Sequence, residues 1–396
     1  MARDSRATVV VGLGGLGSAT ASWLAKQGVD VLGLEQFELG HVRGASHDHS
    51  RIIRRSYHTP GYVELAAGAY DAWRAVERDA DVEIITRTGG IDLFPPDAAI
   101  DPSTYTASLA AAGVPFDWID GDEVRRRWPA FGAGDLLTDG VQAIQCDDTG
   151  IVPAGRGTAT MQRLAVEHGA ELRSHTSVTG LRLVDGEVEV AVVCDGRSEF
   201  IRAGHVVVTA DAWTNRLLAP LGHEIPLAIT REQVSYFPRA DLERFAIGRL
   251  PVWIWMDDPS FYGFPVYGVT DALKGAEDCG GVEVDPDTRT FDPDPTMEHR
   301  LAAFMERLMG DGFGAPRSTT CLYTLTSDRD FVCDRVPGIP QFSVGLGAAH
   351  GFKFASWFGR ELAALATGAP VRPELAPFSM ERPSLYVPIS REAWLV

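Results

Sequence analysis

The first apolar run of the chain, inside "ATVVVGLGGLG" (residues 7–17), is continuous rather than alternating. A run of that kind predicts a parallel strand buried on both faces. Residues 15–35 continue as a helix and a second short strand ending at Glu35. "YVELAAGAYDAWRAVERDA" (62–80) carries apolar residues at helical spacing, and "TRTGGIDLF" begins a strand. "DGDEVRRRWPAF" predicts a helix opened near Asp120 and ended by Pro129. "VPAGRGTATMQRLAVEHG" predicts another helix, followed by a strand ending near Val178, two hairpin-like strands and the buried strand "HVVVTA". From about residue 221 to 324, aromatic- and proline-rich strands alternate with turns, broken by one helix at "PTMEHRLAAFMERLM". The last part, "QFSVGLGAAHGFKFASWFGRELAALATG", returns to strand, glycine turn and helix.

This order predicts an α/β (α+β two-domain) protein. A discontinuous Rossmann-like domain (1–85, 147–220 and 325–396) is interleaved with an antiparallel-sheet domain (86–146 and 221–324).

Gly12, Gly14 and Gly17 fit G-x-G-x-x-G between a strand and a helix. The first glycine permits the turn and the second lets backbone approach a pyrophosphate. The third lets the helix pack on the strand with its N-terminus toward the phosphates. Glu35, about 20 residues on, is where an acid accepts ribose hydroxyls, which disfavours a 2′-phosphate and leaves FAD or NAD. The basic, histidine-rich segment "GHVRGASHDHSRIIRRSY" follows where a second helix is usual in NAD dehydrogenases. A loop lying along a flavin accounts for it better.

Composition narrows the partners. The net charge of −18 over 396 residues argues against nucleic acid or an anionic membrane surface. No run approaches the length of a membrane span, and the start lacks the pattern of a signal peptide. The five cysteines (Cys146, Cys194, Cys279, Cys321 and Cys333) form neither a CxxC nor a disulfide framework, which predicts a reducing cytoplasm and no metal site.

"VVVGLGGLGSATASWLAKQGV", "SRIIR", "YGFP" with Lys274 after it, "CLYT" and "HGFKF" occur in that order across nearly the whole chain. On these segments the chain resembles the monomeric sarcosine oxidase and N-methyltryptophan oxidase family of D-amino-acid-oxidase-like FAD flavoproteins. The resemblance implies FAD joined through the sulfur of Cys321 to its 8α-methyl group. It implies that Arg54 and Lys353 hold a substrate carboxylate, and that Arg51 lies over the flavin on another side of the loop, with His47 nearby and Ser50 against the cofactor. Gly15, Val178, Gly347, Gly351 and Lys353 complete the implied cofactor contacts. Tyr262 and Tyr323 frame the amine, and Lys274 activates dioxygen through its charge. The implied reaction oxidises a secondary amino acid, N-methyl or cyclic, to an imine that water hydrolyses, with O2 reduced to H2O2 by a monomeric enzyme. Two alternatives stand beside it: a dehydrogenase and a tailoring flavoenzyme, each using an acceptor other than O2.

Three positions depart from the family pattern. One extra residue precedes Lys274. Asp278 replaces a pocket histidine, and either faces the substrate or is turned to solvent by that insertion. Asp211 replaces a glycine beside the buried strand. Trp253 and Trp255 either cap the pocket or pack in the sheet.

Overall fold

The computed structural model describes residues 4–389; the outermost ends of the expected nucleotide domain lie outside the described residues. The continuous apolar run becomes the strand Asp4–Val11, in the interior of an eight-stranded sheet. It pairs in parallel with Val31–Leu34 on one side and Arg197–Val208 on the other. The strand Arg197–Val208 is longer than its apolar core suggested. Its first half pairs antiparallel with Glu187–Cys194, while Val206–Val208 pair in parallel with Phe342–Val344. Helix Gly15–Lys26 packs against both Ala154–Glu167 and Ala355–Ala366 beside this sheet.

Trp253, Trp255 and Phe261 belong to the apolar core of a second, nine-stranded sheet, drawn from residues 90–146 and 227–326. Its long strand Leu227–Pro238 pairs antiparallel with both Ala272–Asp278 and Arg317–Thr326. Helix Pro295–Met309, capped by the Asp294 side chain, covers one face. Helix Gly121–Arg127 is likewise capped, by Asp120 on the Glu123 N–H. A small third sheet joins Arg51–Ile53 and Thr86–Arg87 to Gly150–Val152, where the chain passes between the larger two.

Lys274 and Asp278 both lie on the strand Ala272–Asp278. Alternation along a strand sends Lys274, Ala276 and Asp278 to one face and Gly275 and Glu277 to the other. Glu277 bonds Arg300 of the covering helix at 2.7 Å, and a Cβ at Gly275 would meet Met305 at 3.2 Å. The opposite face, with Asp278, therefore looks inward. The same rule places Trp253 and Trp255 in the core, stacked or edge-on to Phe304, while Ile254 between them lines a cavity.

Candidate functional site

Three cavities run end to end, each sharing lining residues with the next. The first is lined by Gly12, Gly14, Glu35, Ser46, Val178, Thr209 and Asp211. Gly12 adopts φ +91°, and a Cβ there would lie 2.6 Å from the Thr209 carbonyl. A Cβ on Gly17 would lie 1.8 Å from the Gly12 carbonyl, so only glycine permits this contact of turn and helix. Glu35 accepts the Leu13 N–H at 2.9 Å and the Phe37 N–H at 3.1 Å, which fixes its carboxylate at the cavity edge. Each oxygen keeps acceptor capacity for a hydroxyl. The N-terminus of Gly15–Lys26 has no side-chain cap, and Ser46 Oγ accepts the Gly15 N–H at 2.8 Å.

The middle cavity shares Gly14, Ala45, Ser46, Thr209 and Asp211 with the first and adds Gly15, Arg51, Cys321, Gly347 and Gly351. The turn reaching Gly351 is tight: Ala348 and Ala349 adopt φ of +42° and +71°. Burial pushes the Cys321 thiol up to about 11, with Arg51 the strongest opposing influence. Nearby positive charge lowers a thiol's pKa, but here desolvation outweighs it. Arg51 is braced by its own loop, donating to the carbonyls of Ala45 and His47 at 2.9 Å and of Ser50 at 2.8 Å. A glycine-lined trough at a helix N-terminus, a ribose-ready acid and an adjoining inner chamber that reaches Arg51 and Cys321 fit FAD. The residues that would hold it are Gly12, Gly14, Gly15, Glu35 and Val178 at one end and Arg51, Cys321, Gly347 and Gly351 at the other.

The third cavity, about 100 Å³, shares Arg51, Tyr262, Tyr323, Ala349 and Phe352 with the middle one. Arg54, Lys353 and Tyr57 line it together. Arg54 is buried, donates to Asp92 at 3.0 Å and lies 4.7 Å from the Tyr57 ring centroid. Burial raises the Asp92 carboxyl while Arg54 pulls it back; the guanidinium stays charged, since arginine does not deprotonate in proteins. Burial lowers the Lys353 pKa, Tyr57 opposes, and Arg54 adds to the lowering. Two cations facing one small chamber favour an anion there. Asp278 lines the same chamber, bonded to Arg329.

Lys274, Ser50 and His47 line none of these three cavities and stand behind their walls. Lys274 is buried and donates to Asp48 Oδ2 at 2.6 Å and to the Ser50 carbonyl and hydroxyl at 3.0 Å each. Burial lowers it to about 8, with Asp48 opposing. Burial would raise the Asp48 carboxyl, yet Lys274 and Arg51 outweigh that and hold it well below its ordinary value. Burial drops His47 to about 4; its backbone carbonyl, rather than its ring, anchors Arg51. Among the described residues no group of three or more His, Cys, Asp or Glu could hold a metal, and no helix is long and apolar enough to cross a membrane.

With this geometry in hand, comparison decides the family. The FAD dependent oxidoreductase family profile matches residues 7–365. The chain belongs to that family. Its fold is that of the FAD oxidases of the D-amino-acid-oxidase type. This oxidoreductase is 34% identical over 377 residues to a monomeric sarcosine oxidase of Streptomyces avermitilis, covering 92% of this chain and 94% of that protein. It is 30% identical over 383 residues to a monomeric sarcosine oxidase of Bacillus sp. (strain NS-129), covering 95% and 97%. Among solved structures it is similar to NikD, an unusual amino acid oxidase essential for nikkomycin biosynthesis, with TM-score 0.83, 26% identity and coverage of 95% and 97%.

Four residues of the oxidoreductase's site were not singled out from sequence. Asp92 and Tyr57 hold Arg54, Asp48 holds Lys274, and Arg329 holds Asp278. Asp48 and Arg329 have φ of +83° and +58°, conformations uncommon for non-glycine residues. No sequence pattern marks the three ion pairs, because each joins segments far apart in the chain; Tyr57, three residues after Arg54, is a local contact.

Proposed function

We propose that the oxidoreductase oxidises a small secondary amino acid, N-methyl or cyclic, to an imine that water hydrolyses, with O2 as acceptor and H2O2 released. One observation carries this reading: Arg54 and Lys353 share a chamber that opens through Tyr262 and Tyr323 onto the trough floored by Cys321. When bound, FAD supplies the two-electron redox chemistry. The chain supplies position. Arg54, held by Asp92, and Lys353, whose charge lacks a carboxylate partner among the described residues, take the substrate carboxylate. Tyr262 and Tyr323 flank the amine at the mouth of the flavin chamber. Arg51 keeps a fixed positive charge beside the ring system, and Cys321 is the point of covalent attachment. The enzyme works as a cytoplasmic monomer, with no metal, nucleic acid or membrane partner.

The test is anaerobic mixing of the purified yellow protein with sarcosine, N-methyl amino acids and cyclic imino acids. Bleaching of the flavin followed by peroxide on admitting air supports the reading. A flavin that no secondary amine reduces overturns it. Acid precipitation tests the tether separately: colour stays with the pellet if Cys321 holds the flavin and stays in the supernatant if it does not. Sedimentation velocity tests the monomer, and cell fractionation the compartment.

A second reading, a dehydrogenase that passes electrons to another acceptor, gains support from Lys274. All three of its N–H donors are engaged by Asp48 and Ser50, and its charge is offset by the Asp48 carboxylate. Reoxidation by a dye much faster than by air would favour it.

A further inference from the structure

The substrate chamber has a second polar end. Asp278 and Arg329 line it opposite in character to Arg54 and Lys353, because this pair is internally neutral. Arg329 Nη2 donates to Asp278 Oδ2 at 2.7 Å, and this is the one contact that joins them among the described residues. Arg329 is 3% exposed, its turn is held by its own N–H on the Thr326 carbonyl, and its peptide carbonyl meets His350 Nε2 at 3.0 Å. The Nε–H of this buried guanidinium has no partner among the described residues. A buried donor without an acceptor is a standing demand for one. Asp278 is less buried, about a quarter exposed, so its carboxylate is the part of the pair that a ligand reaches. Ser260 stands across the ladder from Asp278, and its hydroxyl is used on the Trp255 carbonyl.

Resting on the function proposed above, we infer that Asp278 and Arg329 form a recognition site for a neutral group that both accepts and donates hydrogen bonds. A carboxamide is the simplest such group, carried on the substrate's side chain away from its carboxylate. Its carbonyl accepts from Arg329 while its N–H donates to Asp278. A cationic group at this end meets the Arg329 guanidinium, and a second carboxylate meets Asp278. A hydrocarbon removes water from both charges and returns no hydrogen bond. The neutral amphoteric group is the one chemistry that satisfies both partners.

The experiment is a set of binding titrations on the flavin-loaded enzyme, read by flavin absorbance and by calorimetry. The probes are short carboxylic acids with no amine beside the carboxylate: succinamate, succinate, pentanoate and 4-aminobutyrate. Succinamate binds tightest, by about tenfold over pentanoate, the worth of one hydrogen bond to a charged group. In Asp278→Asn, Arg329 loses its counter-charge and succinate overtakes succinamate. Equal affinity of the native enzyme for succinamate and pentanoate overturns the inference, as does an unchanged order in a folded Asp278→Asn variant. Where that variant does not fold, the native order alone decides. Binding needs no turnover. An enzyme with the expected order that oxidises no secondary amine loses the proposed function and keeps this site; one that oxidises them without preference keeps the function and loses the site.

Discussion

The nucleotide trough and the substrate chamber are built by opposite means. The trough is made of backbone: Gly12, Gly14 and Gly17 bring main chain close, and Glu35 is fixed by two amide N–H groups from its own neighbourhood. The chamber is made of side chains borrowed from distant segments. Arg54 is held by Asp92, and Asp278 by Arg329. A backbone site tolerates almost no added atom, whereas a site of paired ions is sensitive to every charge removed.

That contrast breaks first at Arg54. Arg54→Met strands the Asp92 carboxylate, costing about 3–5 kcal/mol of stability in chemical denaturation. It should also lower kcat/KM for the best secondary amine by about 100- to 1000-fold, with Arg54→Lys restoring part. At the other end, Gly17→Ala forces a methyl against the Gly12 carbonyl and should cost about 3 kcal/mol or more. Its readout is the flavin-to-protein ratio after gel filtration, which falls although no charge has changed.

Asp211 sharpens the comparison, since it is a charge placed in the backbone-built trough. Burial pushes it up to about 6, with Thr324 opposing. A raised carboxyl contributes stability that is full below the unfolded value near pH 4 and lost as pH rises through about 6. Asp211→Asn should therefore raise the thermal midpoint at pH 8, by at most about 3 kcal/mol in free energy, and give no gain at pH 4. The smallest effect is at Lys274, lowered to about 8. If its charge assists reoxidation by O2, that rate falls by up to about tenfold per pH unit above 8. In Lys274→Arg the profile stays flat over the same range.

The trough was legible in sequence because its determinants are local. A strand, a glycine turn, a helix and an acid lie within some thirty residues, and helices such as Pro295–Met309 followed from their apolar spacing. The chamber was legible only through resemblance. Arg54, Lys353, Tyr262 and Tyr323 do line it together, but nothing in their spacing gives that meeting. Whether Asp278 faced inward stayed open because the decision belongs to strand parity, fixed by the pairing of Ala272–Asp278 with Leu227–Pro238. Arg329 and Asp48 were missed outright: a buried ion pair leaves no periodic signature, and each partner alone resembles an ordinary surface charge.

The parallel pairing of Val206–Val208 with Phe342–Val344 has a consequence for biosynthesis. A nascent chain emerging from the ribosome cannot finish its first sheet until the whole nine-stranded sheet, in which Gly90–Phe94 pairs in parallel with Val252–Trp255, has been translated, so the two halves mature together rather than in turn. Cysteine 321 and the glycines at 347 and 351 also arrive late. With these residues holding the flavin as proposed, its capture is among the last events of maturation, and a polypeptide released before residue 342 should emerge colourless.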